Sequence, residues 1–321
     1  MTTLSRGRFT QALAGITAGA AYPQALRAQT NVPVQMAITP VYYDAAPILY
    51  ANKTGMFPKA GIDLTLGRLP TGSAITAAVA GGSLNVGKSS IFAVVAAFAH
   101  GVPIVVIAPG AVYDSRTPNS ALVVPKDSPI RTAADLTGKI ISVNNLSEPT
   151  RPATELWLQR NNVPKDAAKF VEVPMSAMMA ALDNHRVDLA LLTAPVYDEA
   201  LATNKYRVVY PVWSEIAPRW LFSAYIAGRE WAKNNRDTVR RFQSVVQAAA
   251  AYTNAHHVEL AGQLAELEGA TESSLAHMTW PMGGTALLAS ELQPVIDLAA
   301  KAGMIEKSFG ANEMIFDPRK A

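Results

Sequence analysis

Residues 71–109, TGSAITAAVAGGSLNVGKSSIFAVVAAFAHGVPIVVIAP, read as turn, helix, short strand, helix and strand. Ile75, Ala78 and Val79 recur at helical spacing, and Gly81-Gly82 break the run. Leu84 to Val86 predict a brief apolar strand. Gly87-Lys88-Ser89-Ser90 then predict a turn into a second helix with the stripe Ile91, Val94, Val95, Phe98. Gly101 closes that helix, and the unbroken apolar run Ile104 to Ala108 predicts a strand buried in a parallel sheet. Two turns, Thr71-Gly72-Ser73 and Lys88-Ser89-Ser90, thus leave a strand end and open a helix. Backbone N–H groups and hydroxyls gather at such places, so the pair is expected to form one wall of a ligand cleft.

Working outward, Val34 to Thr39 predict a first strand, and a helix follows through Ile48, Leu49 and Ala51. Ile62 to Leu66 predict a second strand, so the first part of the chain is a run of βαβ units around a mostly parallel sheet. Residues 113–129, polar, turn-rich and carrying Pro125 and Pro129, read as a crossing into a second domain. There the βα rhythm repeats: strands at Ile140–Val143, Phe170–Val173, Val187–Leu192 and Arg207–Tyr210 alternate with helical stretches, and residues 212–219 are irregular. Leu221 to Ala227 predict an extended return strand, after which the chain reads as helical, with Val239, Phe242, Val245 and Val246 marking one long amphipathic helix. Residues 314–319 read as a tail packed on the surface.

Length and composition agree with two cores: 321 residues, half of them apolar and 17% charged. The formal charge of +3 misleads, because Arg6, Arg8 and Arg27 are the only charged residues before Gln29, and setting them aside leaves 25 basic against 25 acidic residues. Such a balance lacks the basic face of a nucleic-acid binder. Residues 1–28 have the layout of a cleaved export signal: Arg6 and Arg8, an apolar run from Phe9 to Ala21, then Ala25-Leu26-Arg27-Ala28 before a polar stretch. Ser5-Arg6-Gly7-Arg8-Phe9 is similar to a twin-arginine signal with the pair split by Gly7, which leaves both export routes open. The run is too short to span a bilayer. The chain contains no cysteine, which excludes disulfides, thiolate metal sites and cysteine nucleophiles, and points to a protein free in the periplasm.

A set of short marks, in order, is similar to one family. They are Gly55-Met56-Phe57, Gly61-Ile62-Asp63-Leu64, the run from Ala78 to Gly87, Gly101-Val102-Pro103-Ile104, Asp127-Ser128-Pro129-Ile130, Ala134 to Lys139, and Ala181 to Asp188. The chain resembles the periplasmic solute-binding proteins of ABC importers, in the branch that binds sulfonates, taurine, nitrate and the thiamine pyrimidine precursor. One departure is Asn85, where the family usually places an acidic residue. The resemblance implies a type II periplasmic-binding-protein fold: two α/β lobes joined by two hinge strands, the ligand held between them. Lobe one is expected from residues 29–119 and 226–321, and lobe two from residues 120–225. It further implies a monomer that delivers its solute to an inner-membrane permease, with no cofactor.

Candidate ligand-binding residues are Tyr42, Tyr43, Thr71, Gly72, Ser73, Lys88, Ser89, Ser90, Arg116, Asn145, Ser147, Thr193 and Trp220. Lys88 and Arg116 supply charge for an anion, the ordinary alternatives being a solvated lysine and a solvated hinge arginine. Tyr42, Tyr43 and Trp220 offer flat faces, with rim or core packing as the plain alternative. Asn145, Ser147 and Thr193 repeat in the second domain the strand-end turns of the first. Together they favour a small organic anion, a sulfonate or carboxylate. Asp44, Asp114 and Glu148 lie in the same loops, and if two of them face the cleft a neutral or cationic heterocycle becomes the alternative. A detached sensory module is a further alternative that sequence does not separate from transport. Residues 82–89 match G-x-x-x-x-G-K-[ST], but a helix precedes Gly82 and the strand lies inside the motif, so nucleotide hydrolysis is excluded on context. The five histidines show no metal-site spacing and no G-x-S-x-G elbow occurs, so no enzyme is expected.

Overall fold

The structure is a computed structural model that describes residues 31–39, 43–146, 149–268 and 271–320. The export-signal reading of residues 1–28 lies outside them, as do Tyr42, Ser147 and Glu148.

The chain opens with β1 (Val32–Ile38), α1 (Ala46–Lys53), α2 (Met56–Lys59), β2 (Ile62–Arg68), α3 (Gly72–Ala80), β3 (Val86–Ser90), α4 (Ile91–Ala99) and β4 (Ile104–Pro109). A second group follows: β5 (Ala111–Asp114), β6 (Ser120–Pro125), β7 (Ile140–Val143), α5 (Thr150–Arg160), β8 (Lys169–Glu172), α6 (Met175–Asp183), β9 (Leu189–Thr193), α7 (Val196–Ala202) and β10 (Tyr206–Tyr210). The chain returns through β11 (Arg219–Leu221) and β12 (Ser223–Gly228) to α8 (Arg229–Asn234), α9 (Arg236–Glu268), α10 (Glu272–Ala276), β13 (Met282–Gly283) and α11 (Ala289–Lys301). The long α9 leaves helical geometry at His256.

Two five-stranded sheets result, ordered β2-β1-β3-β12-β4 and β10-β6-β9-β7-β8. In each, three strands run parallel through βαβ crossovers, and one strand arriving from the other half inserts antiparallel beside them: β12 against β3, β6 against β9. A small antiparallel sheet, β11-β5-β13, stands where the chain passes between the two. Helices cover both faces of the first sheet. Val34, Met36 and Ile38 of β1 pack with Ile48 of α1 and Phe242 of α9, while Ile75 of α3, Val94 of α4 and Ile296 of α11 fill the opposite face.

The two sheets share a local device. Asn85, just before β3, accepts the Gln35 amide N–H at 2.7 Å and donates its own N–H to the Gln35 carbonyl at 2.9 Å. Asp188, just before β9, makes the same reciprocal pair with Ile140, each bond 2.8–2.9 Å long. Each pins the start of a parallel strand to its neighbour, and the Asn85 amide oxygen serves as an acceptor as well as a carboxylate does.

Two readings of the opening stretch need correction. Gly87-Lys88-Ser89-Ser90 is not a turn but most of β3, and Leu84 and Asn85 belong to its approach. Alternating polar residues hide a strand whose hydrogen bonds come from distant β1 and β12. Gly87 fits because α3 lies directly on it: a Cβ there would stand 2.3 Å from Ile75 Cγ2. The Ile104–Ala108 run is not interior to a parallel sheet either. As β4 it stands at the end of the sheet order, antiparallel to β12, and is wholly buried all the same. The chain's last segment explains this, because Val106 donates to the Met314 carbonyl at 2.8 Å and Phe316 donates to the Val106 carbonyl at 2.9 Å. Residues 314–316 are therefore an edge cover, with Met314 fully buried, rather than a loose surface tail.

Candidate functional site

A cavity of about 80 Å³ lies between the strand ends of the two large sheets. From the first-sheet side it is walled by Asp44, in the 3-10 turn after β1, and by Val112 and Tyr113 of β5. The second-sheet side contributes Asn119, and Thr193 and Ala194 at the end of β9. Trp213 and Phe222, on the returning chain, and Pro281, before β13, close it. Three of these walls are aromatic rings. Among the described residues lining the cavity there is no lysine or arginine.

Asp44 is the one carboxylate among those lining residues, and it is 7% exposed. Its Oδ2 accepts from Lys88 Nζ and, at 2.8 Å, from the Ser223 hydroxyl, while Oδ1 has no hydrogen-bond partner. Lys88 reaches it from β3, in register with Tyr225 of β12, and is itself 4% exposed. Neither charge is affordable alone at this depth, so the pair is mutually required. Burial, with Asp44 nearby, pushes the Tyr225 hydroxyl far above its ordinary range. Burial also raises the Tyr113 phenol, partly offset by its hydrogen bond with Ser214 at 2.8 Å.

Of the residues singled out by sequence, Thr193 is among those on the cavity wall. Lys88 lies behind Asp44, its ammonium committed to that carboxylate, so it offers no free positive charge to a ligand and cannot act as a phosphate-loop lysine. Ser89 stitches β3 to α3: its hydroxyl donates to the Gly72 carbonyl at 3.0 Å and receives Thr76 at 3.3 Å. Gly72 sits so close that a Cβ would meet Ser89 Oγ at 2.7 Å. Thr71 caps α3, its Oγ1 accepting the Ala74 N–H at 3.1 Å, and Ser73 beside it is exposed. Ser90 precedes α4 and pairs with Ser223 across the sheet. Tyr43 opens the 3-10 turn that carries Asp44. Asn145 is exposed in the loop after β7.

Two candidates are placed differently from their expected roles. Arg116 points its guanidinium back at Asp114, with bonds of 2.9 and 2.6 Å, leaving no anion clamp. Trp220 is fully buried behind the cavity, its indole donating to the Trp213 carbonyl at 3.1 Å and its ring packed on Tyr113 and Phe92. Trp213, from the stretch read as irregular, presents its ring instead. No periodicity marks such a residue, because a 3-10 turn of four residues carries no pattern. Asp114 likewise faces Arg116 and Arg219 rather than the cavity.

Among the described residues no cluster of three or more potential metal ligands occurs, and no helix is long and apolar enough to cross a membrane.

Two α/β sheets exchanging antiparallel strands, with a cavity at their facing strand ends, define the periplasmic-binding-protein fold, and solved structures of that fold match nearly the whole chain. The periplasmic aliphatic sulphonate binding protein SsuA of Escherichia coli superposes with TM-score 0.76 at 18% identity, covering 90% of this chain and 93% of its own. The alkanesulfonate-binding SsuA of Xanthomonas axonopodis pv. citri, bound to MOPS, gives 0.70 at 16%, over 89% and 98%. DszB in complex with biphenyl-2-sulfinic acid gives 0.64 at 14%, over 89% and 96%, so an enzyme also uses this fold. No curated protein matches the chain by sequence. The family model described as NMT1/THI5 like matches residues 43–259, and the chain belongs to that family.

Proposed function

We propose that the protein is the solute-binding component of an ABC importer, exported to the periplasm after loss of residues 1–28, working as a monomer and handing its solute to an inner-membrane permease. The lobes on this reading are residues 29–119 with 226–321, and residues 120–225; β5 and β11 run between them. The observation that carries it is the cavity walled from both sheets by Asp44 and Tyr113 on one side and Asn119 and Thr193 on the other. A site made by two halves binds by closing, and a closed shape is what a permease can tell from an empty one. It binds rather than converts: the lining has a carboxylate paired to a lysine, but no nucleophile–base pair.

The solute is a small organic molecule of the sulfonate or carboxylate class. This is supported by the sulfonate ligands named for the neighbouring structures and by the amide-rich start of α3 beside β3. Native mass spectrometry of freshly purified protein tests the reading, because closed clefts retain their solute. A retained small molecule, with a smaller radius of gyration in scattering when saturated, is expected. An empty protein whose radius stays constant across a panel of sulfonates, carboxylates and heterocycles rules it out.

A further inference from the structure

Asp44 has more accepting capacity than the protein fills. Oδ2 holds Lys88 and Ser223, and Oδ1, inaccessible to bulk solvent, faces a cavity and holds nothing. A buried carboxylate oxygen without a donor is a costly arrangement, so the native state that matters has a donor there. The protein has none to offer. The Asn119 and Thr193 side chains share the lining, but neither bonds Oδ1. The rest of the wall is apolar or aromatic, and the Tyr113 hydroxyl is engaged with Ser214.

We infer that Asp44 is the specificity-determining residue of the cleft, accepting a hydrogen bond at Oδ1 from an amino group of the solute. The inference rests on the proposed solute-binding role and sharpens it: if the solute is a sulfonate or carboxylate, it carries an N–H donor as well. An oxyanion placed at this end would face a carboxylate oxygen, and Lys88, the nearest cation, is held on the far oxygen. An amino group also suits the rings of Tyr113, Trp213 and Phe222, whose faces attract positive charge and polarised N–H edges. Lys88 holds the carboxylate in its charged form, so a neutral amine suffices and a full cation is not required.

The test is calorimetric titration with matched pairs: sulfanilate against benzenesulfonate and 4-hydroxybenzenesulfonate, and 4-aminopyrimidine against pyrimidine. The amino member of each set is expected to bind the wild type about tenfold or more tightly than its amino-free partner, one hydrogen bond to a charged group being sufficient. Asp44→Asn and the paired change Asp44→Leu with Lys88→Met should both erase that preference. The paired change removes the two buried charges together, so loss of binding in it is not loss of fold, which thermal melting checks. Equal affinities within each set, a preference that survives both variants, or a retained solute without nitrogen overturns the inference. Absence of any binding together with an empty cleft overturns it and the importer reading alike. A nitrogen-free solute that still compacts the protein overturns it alone.

Discussion

Asp114 shows how a single side chain changes meaning once its neighbours are known. It ends β5, where the chain leaves the first sheet, and its carboxylate receives the Arg116 side chain and amide and lies 3.4 Å from Arg219. Those hydrogen bonds, the Arg116 side chain first, hold its acidity far below the ordinary carboxylate value of 3.8. A depressed folded-state value gives stability that is complete above the unfolded value and drains away as pH falls below it. Asp114→Asn is therefore expected to lower the melting temperature by a few degrees at pH 7. The gap to wild type should narrow steadily below about pH 4, as the unfolded chain takes up its proton. Thermal melting from pH 7 to pH 3 measures it; a gap constant in pH means that the arginines contribute only packing. The charge on Arg116 was legible in the sequence, but its partner two residues away was the nearer claim on it.

Among the elements, β4 and its cover carry the clearest lesson. Five consecutive apolar residues fit an interior strand, yet β4 ends the sheet order and is kept dry by residues 314–316. The bare ladder would be an unpaired edge of high β-propensity. Deleting residues 314–321 is expected to lower the melting temperature and to promote aggregation on heating, read by light scattering. A truncated chain that melts as the full one does and stays clear refutes the edge-cover role. Helices and most strands were readable because their apolar periodicity is local: α4, α6 and β7 fall where the pattern puts them. β3 was not, because Val86-Gly87-Lys88-Ser89-Ser90 has the composition of a turn and becomes a strand only between β1 and β12.

On the scale of the molecule, the two halves touch through a contact beside the cavity. Asp198 in α7, packed on the second sheet, accepts the Thr279 N–H at 2.8 Å and its hydroxyl at 2.6 Å. Thr279 belongs to the segment between α10 and β13, two residues from the cavity-lining Pro281. On the two-lobe reading these bonds fasten the closed form. Asp198→Ala is expected to release a retained solute about three- to tenfold faster, and to leave a larger radius of gyration in the loaded protein. Release at the wild-type rate with an unchanged radius would show that Asp198 serves α7 alone.

The alternation of apolar strands and amphipathic helices, the family's short marks and the polar turns at strand ends are written along the chain, because each depends on residues a few positions apart. They determined an α/β protein with a second βα run, and a binding surface at its strand ends. Which polar groups face that surface was decided only by folding, since a side chain's charge is available or cancelled according to residues brought from far along the chain. Lys88 meets Asp44 across 44 positions and Ser223 meets it across 179. No local pattern encodes that meeting, and it turned an expected cationic wall into a site with a carboxylate oxygen left open.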